Sequence, residues 1–174
     1  AGEATLSLRT SGSNYVATLT ARTKPWADKL FQVRDTLRAI MTVRELRPVR
    51  YEKIAHEGGK YSRDIITYSH SGGTARATAN RTKVRDGKTK RSKKAFSTRY
   101  EAYDMLSIFY FVRSYDYSRL PKGRSIRRVI FSGSSAEFIT IRNMGTQNIK
   151  LRSGKTVPAI HLRFNFTDDG GKRS

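Results

Sequence analysis

The chain has 174 residues, of which 37% are hydrophobic and 28% charged, with 35 Lys plus Arg against 14 Asp plus Glu and no cysteine. That length is enough to bury a core, and the missing cysteine excludes disulfides and thiolate chemistry. A net charge of +21 calls for an anionic counterpart, whether nucleic acid, lipid headgroups, lipopolysaccharide or acidic polysaccharide.

Residues 3–9 alternate, with Ala4, Leu6 and Leu8 on one parity and Thr5, Ser7 and Arg9 on the other; a Ser11-Gly12-Ser13-Asn14 turn leads into a second strand over 15–22. This is hairpin patterning. Residues 24–30 read as a connector, with one helical turn starting at Pro25 as the alternative. Residues 31–42 read as a strand, although 37–46 also tolerates a helix. Strands are then expected over 49–56, 61–70, 74–84 and 93–97, separated by Gly58-Gly59, Gly72-Gly73 and Asp86-Gly87, which supply the positive φ of tight turns.

Residues 98–117 are the one strong helix signal. Thr98 and Glu101 have capping-box spacing, and the apolar run beyond them shows no alternation and meets no proline until Pro121. A buried strand is the competing reading, because Ile108, Phe109, Tyr110, Phe111 and Val112 are strand formers. A helix apolar on both faces must be wrapped, and the available wrapping material is sheet. Asp104 and Ser107 interrupt the apolar run three positions apart and, if buried, need partners. After Leu120-Pro121-Lys122-Gly123, strands resume over 125–131, 137–142, 147–152 and 156–167. The last has the cleanest alternation, with Ile160, Leu162, Phe164 and Phe166 expected to face a core.

Many strands, one helix and more strands predict a mainly β (α+β) fold: an antiparallel meander curled into a barrel or half-barrel around one buried apolar helix. One domain over 1–174 is expected. No apolar run is long enough for a transmembrane helix. The chain opens inside a strand without an initiator Met and stops abruptly at Gly170-Gly171-Lys172-Arg173-Ser174, so both ends read as cut, and an export signal is expected upstream.

Tyr103-Asp104-Met105-Leu106-Ser107 with Phe109-Tyr110-Phe111, together with Val33-Arg34-Asp35-Thr36-Leu37 and Pro48-Val49-Arg50-Tyr51-Glu52-Lys53, resembles a family of bacterial exported proteins known as domain of unknown function 3108. The resemblance implies export to the periplasm or outer-membrane surface. It also implies a β-rich fold in the style of the envelope lipoprotein carriers, which hold acyl chains between a half-barrel and a helix. It brings no catalytic residues. Family members usually carry further strands at both ends, which leaves closure of the barrel open.

The densest charge run is Arg81, Lys83, Arg85, Lys88, Lys90, Arg91, Lys93 and Lys94 against Asp86 alone, straddling an expected hairpin tip. It reads either as an anion-binding finger or as a solubilising hairpin that protects a sheet edge. Arg127, Arg128 and Arg152 belong to further basic clusters and join the expected anion site. Tyr103, Asp104, Leu106, Ser107 and Tyr110 are expected to form the wall of a pocket between helix and sheet. Gly87-Lys88-Thr89 and Gly154-Lys155-Thr156 lack the upstream glycine of a phosphate loop and read as turns. His56, His70 and His161 have no metal-ligand spacing, and neither a cofactor nor an enzyme activity is expected. The expected role is binding of an anionic or amphipathic ligand, such as lipid, lipopolysaccharide or polysaccharide. Phosphate-backbone binding to nucleic acid and a structural or adhesion role are the alternatives.

Overall fold

The computed structural model describes residues 2–29 and 31–168. Seven strands form one antiparallel meander in sequence order: β1 (Gly2–Ser11), β2 (Asn14–Thr23), β3 (Val33–Thr42), β4 (Pro48–Glu57), β5 (Lys60–Ser71), β6 (Thr74–Arg85) and β7 (Lys88–Thr98). A four-residue helix, α1 (Pro25–Asp28), connects β2 and β3 and begins at Pro25. The hairpin turns fall on the expected glycines; Asp86 and Gly87 hold φ of 50° and 71°, the pair of positive values a type I′ turn needs.

A second sheet has the order β11-β10-β9-β8, from β8 (Ala102–Tyr103), β9 (Ser125–Phe131), β10 (Ala136–Lys150) and β11 (Thr156–Thr167). Its β8–β9 contact is parallel and the others antiparallel. This sheet packs on one face of the meander. Ala17, Ala39, Ala77 and Ala79 of the large sheet meet Ala102, Val129, Phe131 and Ala136 of the small one, with Tyr51, Met41 and Ile66 filling between them. The Phe96 and Phe131 rings stack at 5.3 Å, and the Tyr68 hydroxyl donates to the Phe131 carbonyl at 3.3 Å. At Gly133, in the β9–β10 turn, φ is +87° and an added Cβ would stand 3.4 Å from Ile66 Cδ1, so the turn sits directly on the core.

The fold departs from expectation in several ways, and the strands expected over 137–142 and 147–152 are one continuous β10. The meander does not close into a barrel, and it does not wrap the helix: a second sheet covers its inner face. The helix α2 is Ser107–Ser114, eight residues, with Phe109 40% exposed. Residues 98–106 go elsewhere, into the end of β7, the short β8 and a turn. Thr98 is not the cap; its hydroxyl accepts from the Tyr100 N–H. The apolar residues of 98–117 are instead divided among several partners. Ala102, Leu106 and Tyr110 pack in the inter-sheet core, whereas Tyr103, Ile108, Phe111 and Val112 pack against Ile126, Ile130, Ile139 and Ile141 on the far face of the small sheet. A segment apolar all round is thus served by two cores rather than by one enclosing sheet.

β11 also differs from expectation. Leu162 packs against that second core, but Ile160, Phe164 and Phe166 are exposed. β11 is the edge strand, and an eight-residue helix is about 12 Å long, too short to cover a fourth strand as well.

Candidate anion and amphiphile site

α2 is positioned by a local cap. Asp104 Oδ1 accepts from the backbone N–H groups of Leu106 and Ser107, both at 2.8 Å, and Ser107 Oγ accepts from the Asp104 N–H at 2.9 Å. This is a reciprocal capping box six residues downstream of the expected one. Both side chains are fully buried. Burial pushes the Asp104 carboxyl up to about 6, against the opposing pull of these hydrogen bonds. Of the expected pocket wall, Tyr103, Asp104, Leu106 and Ser107 are therefore core and cap residues, and Tyr110 lines an open hollow.

That hollow, of about 200 Å³, is lined by Leu8, Tyr15, Met41, Leu46, Tyr110, Arg113 and Ser114 and is mostly apolar. A second hollow, of about 430 Å³, lies along the next face of α2. Its walls carry Arg44, Arg119 and Arg128 together with Phe111 and Tyr115. Leu46 and Ser114 line both hollows. Leu46 holds φ of +54°, a left-handed conformation rare for a branched side chain.

The three arginines are differently engaged. Arg44 and Arg128 have no carboxylate partner within ion-pair distance among the described residues, whereas Arg119 makes an exposed pair with Asp116 at 3.4 Å. The Arg128 guanidinium stands 4.9 Å over the Phe111 ring, donates through Nη1 to the Arg127 carbonyl at 2.8 Å, and has a buried Nε without a partner. Glu45, at the rim, is taken by Arg47 at 2.9 Å, and Arg47 also grips Glu101 through Nε and Nη2. The Tyr103 hydroxyl, close to Arg128, is pushed up to about 12 by burial.

The remaining expected anion ligands are dispersed. Arg81 is committed to Asp64 through two contacts of 2.6 Å. Lys94 donates to the Ser134 carbonyl at 2.6 Å. Arg127 stacks on Phe138 at 3.8 Å, and Arg152 is exposed in the β10–β11 turn. Pairing of β6 with β7 sets Lys83 opposite Lys90 and Arg85 opposite Lys88 on the inner face of the meander, beyond the reach of the small sheet. Arg91 and Lys93 project from the other face, opposite Thr82 and Asn80. Lys60, Lys83 and Arg85 border a further hollow of about 280 Å³ with Glu57 and Ser62.

Of the residues lining the two hollows, the sequence reading names Arg128 and Tyr110 and does not name Arg44, Leu46 or Arg119. These come from the β3–β4 turn and the segment after α2, and nothing in their spacing announces that they meet. Among the described residues no group of three or more His, Asp or Glu could hold a metal ion, and no helix is long and apolar enough to cross a membrane.

No curated protein and no solved structure matches the chain. The family comparison does: the model of the family described as "Protein of unknown function (DUF3108)" matches residues 1–174, and the chain belongs to that family.

Proposed function

We infer that this is a non-enzymatic, exported cell-envelope protein that binds one anionic amphiphile, with its apolar part in the Leu8–Tyr15–Tyr110 hollow and its anionic head against Arg44 and Arg128. The observation that carries this reading is the sharing of Leu46 and Ser114 by an apolar hollow and an arginine-walled one. A ligand with one greasy and one charged end fits that sequence of surfaces, and an entirely polar or entirely apolar ligand uses half of it. Arginine suits the charged end, because its planar fork pairs with phosphate or carboxylate and stays charged at any physiological pH. Stacked on Phe111, Arg128 is pre-oriented and loses little freedom on binding. Together the hollows reach the size of ordinary ligand pockets, roughly 300–1,000 Å³.

The test is binding of a fluorescent long-chain fatty acid, combined with native mass spectrometry of protein purified from its own envelope. Arg128→Gln is expected to weaken the fatty acid about ten-fold, the loss of one charge-assisted contact. Equal affinity of wild type and Arg128→Gln, with no lipid or glycan co-purifying, overturns the proposal.

A further inference from the structure

The β6–β7 hairpin carries a charge arrangement that the amphiphile site does not use. Lys83 faces Lys90, and Arg85 faces Lys88, in two successive cross-strand pairs on one face. Like charges directly opposite each other destabilise a sheet, so the fold carries a cost at this place. Protection of a sheet edge does not account for it. β7 is the edge strand, but Lys83 lies on β6, between Ser62 of β5 and Lys90 of β7. Neighbouring acids do not neutralise the array. Asp64 is committed to Arg81, and Glu57, although it borders the same hollow as Lys83 and Arg85, makes no ion pair with either among the described residues. Asp86 reaches Arg85 only at 3.4 Å, with both side chains largely in solvent.

We propose that the distal β6–β7 hairpin is a docking surface for a membrane leaflet rich in anionic lipid headgroups. Cations occupy both faces, Lys83, Arg85, Lys88 and Lys90 on one and Arg91 and Lys93 on the other. A hairpin immersed among headgroups meets anions on every side, whereas a linear polymer lies along one face. Residues 81–94 contain no Phe, Tyr or Trp, so the hairpin has no platform on which nucleic-acid bases could stack. The contact is electrostatic, and it is separate from the hollows beside α2.

The experiment is co-sedimentation with vesicles of phosphatidylglycerol and phosphatidylcholine, and with phosphatidylcholine alone, at low and high salt. Wild type is expected to bind the anionic vesicles at low salt, to ignore the neutral ones, and to be released by salt. Each hairpin cation near the leaflet contributes about five-fold, so Lys83→Thr with Lys90→Thr is expected to weaken binding about twenty-five-fold. Lys150→Thr with Lys155→Thr, the same charge change at the end of β10 and in the turn that follows it, should shift it less than two-fold. Lys83→Thr with Lys90→Thr should leave fatty-acid affinity unchanged, which separates this surface from the amphiphile site. No binding to anionic vesicles, equal loss in the two lysine doubles, or complete displacement by single-stranded DNA at equal phosphate concentration would each overturn the proposal.

Discussion

Two buried carboxylates show how position sets the worth of a residue. Asp104 caps α2 with one oxygen, and its other oxygen is buried without a partner. Its carboxyl stands at about 6 in the fold, against about 3.9 in an unfolded chain. Between those values the folded state keeps a proton that the unfolded state releases, so stability falls as pH rises from about 4 to about 6 and then levels. Asp35, raised by burial and by the Glu57 charge, adds the same sign. Asp104→Asn keeps the accepting oxygen and cannot ionise. Thermal melts from pH 4 to 7 should show a shallower slope and equal or higher stability at pH 7, while Asp104→Ala should cost about 1–2 kcal/mol through loss of the cap. A slope unchanged in Asp104→Asn would assign the effect to other groups. Asp64 is the opposite case, a 4% exposed carboxylate held by the Arg81 fork. Arg81→Met strands that charge and should lower stability by about 3 kcal/mol. Adding Asp64→Leu should recover most of the loss, as read from urea midpoints; no recovery in the double would show that the damage is not an unpaired charge.

At the scale of elements, charge and strain mark where stability has been given up. Lys83→Thr with Lys90→Thr removes one opposed pair from β6–β7 and places strand formers there, so unfolding should need slightly more denaturant, by roughly 0.2–1 kcal/mol. A loss of stability in that variant would mean that the lysines are structural. The β3–β4 turn carries Leu46 in a left-handed conformation at the junction of two hollows. Leu46→Gly relieves about 1 kcal/mol of strain and forfeits a similar amount of half-buried apolar surface. Its melting point should therefore move little, while fatty-acid affinity drops several-fold. A large fall in melting point with intact affinity would make Leu46 a packing residue only.

For the whole molecule, the net charge of +21 sets a global repulsion that no single pair relieves. Salt that screens it should raise the melting temperature by several degrees between about 20 and 300 mM, because self-repulsion favours the expanded chain. A melting temperature that falls with salt would show that ion pairs such as Asp64–Arg81 outweigh the net charge. The same salt should weaken anionic-vesicle binding, so stability and docking are expected to move in opposite directions.

Periodicity and glycine placement in the sequence alone determined most of the strands, their hairpin turns and therefore the antiparallel meander, because these depend on neighbours in the chain. They also placed the basic run on a hairpin. Tertiary structure decided the rest. The residues from 98 to 117 read as one wrapped helix because apolarity records that a side chain is buried, and not which core buries it. Two cores share that segment, so eight residues suffice for the helix. The Asp104–Ser107 cap has the same spacing as the Thr98–Glu101 pattern, and sequence spacing could not rank them; in the fold Ala102 and Tyr103 pair with β9, and the cap lies just beyond them. The alternation of β11 likewise promised a buried face that an edge position withholds. The meeting of Arg44, Leu46, Tyr110 and Arg128 joins a turn, a helix and a strand from three separate parts of the chain, and such a site exists only once two sheets have packed against each other.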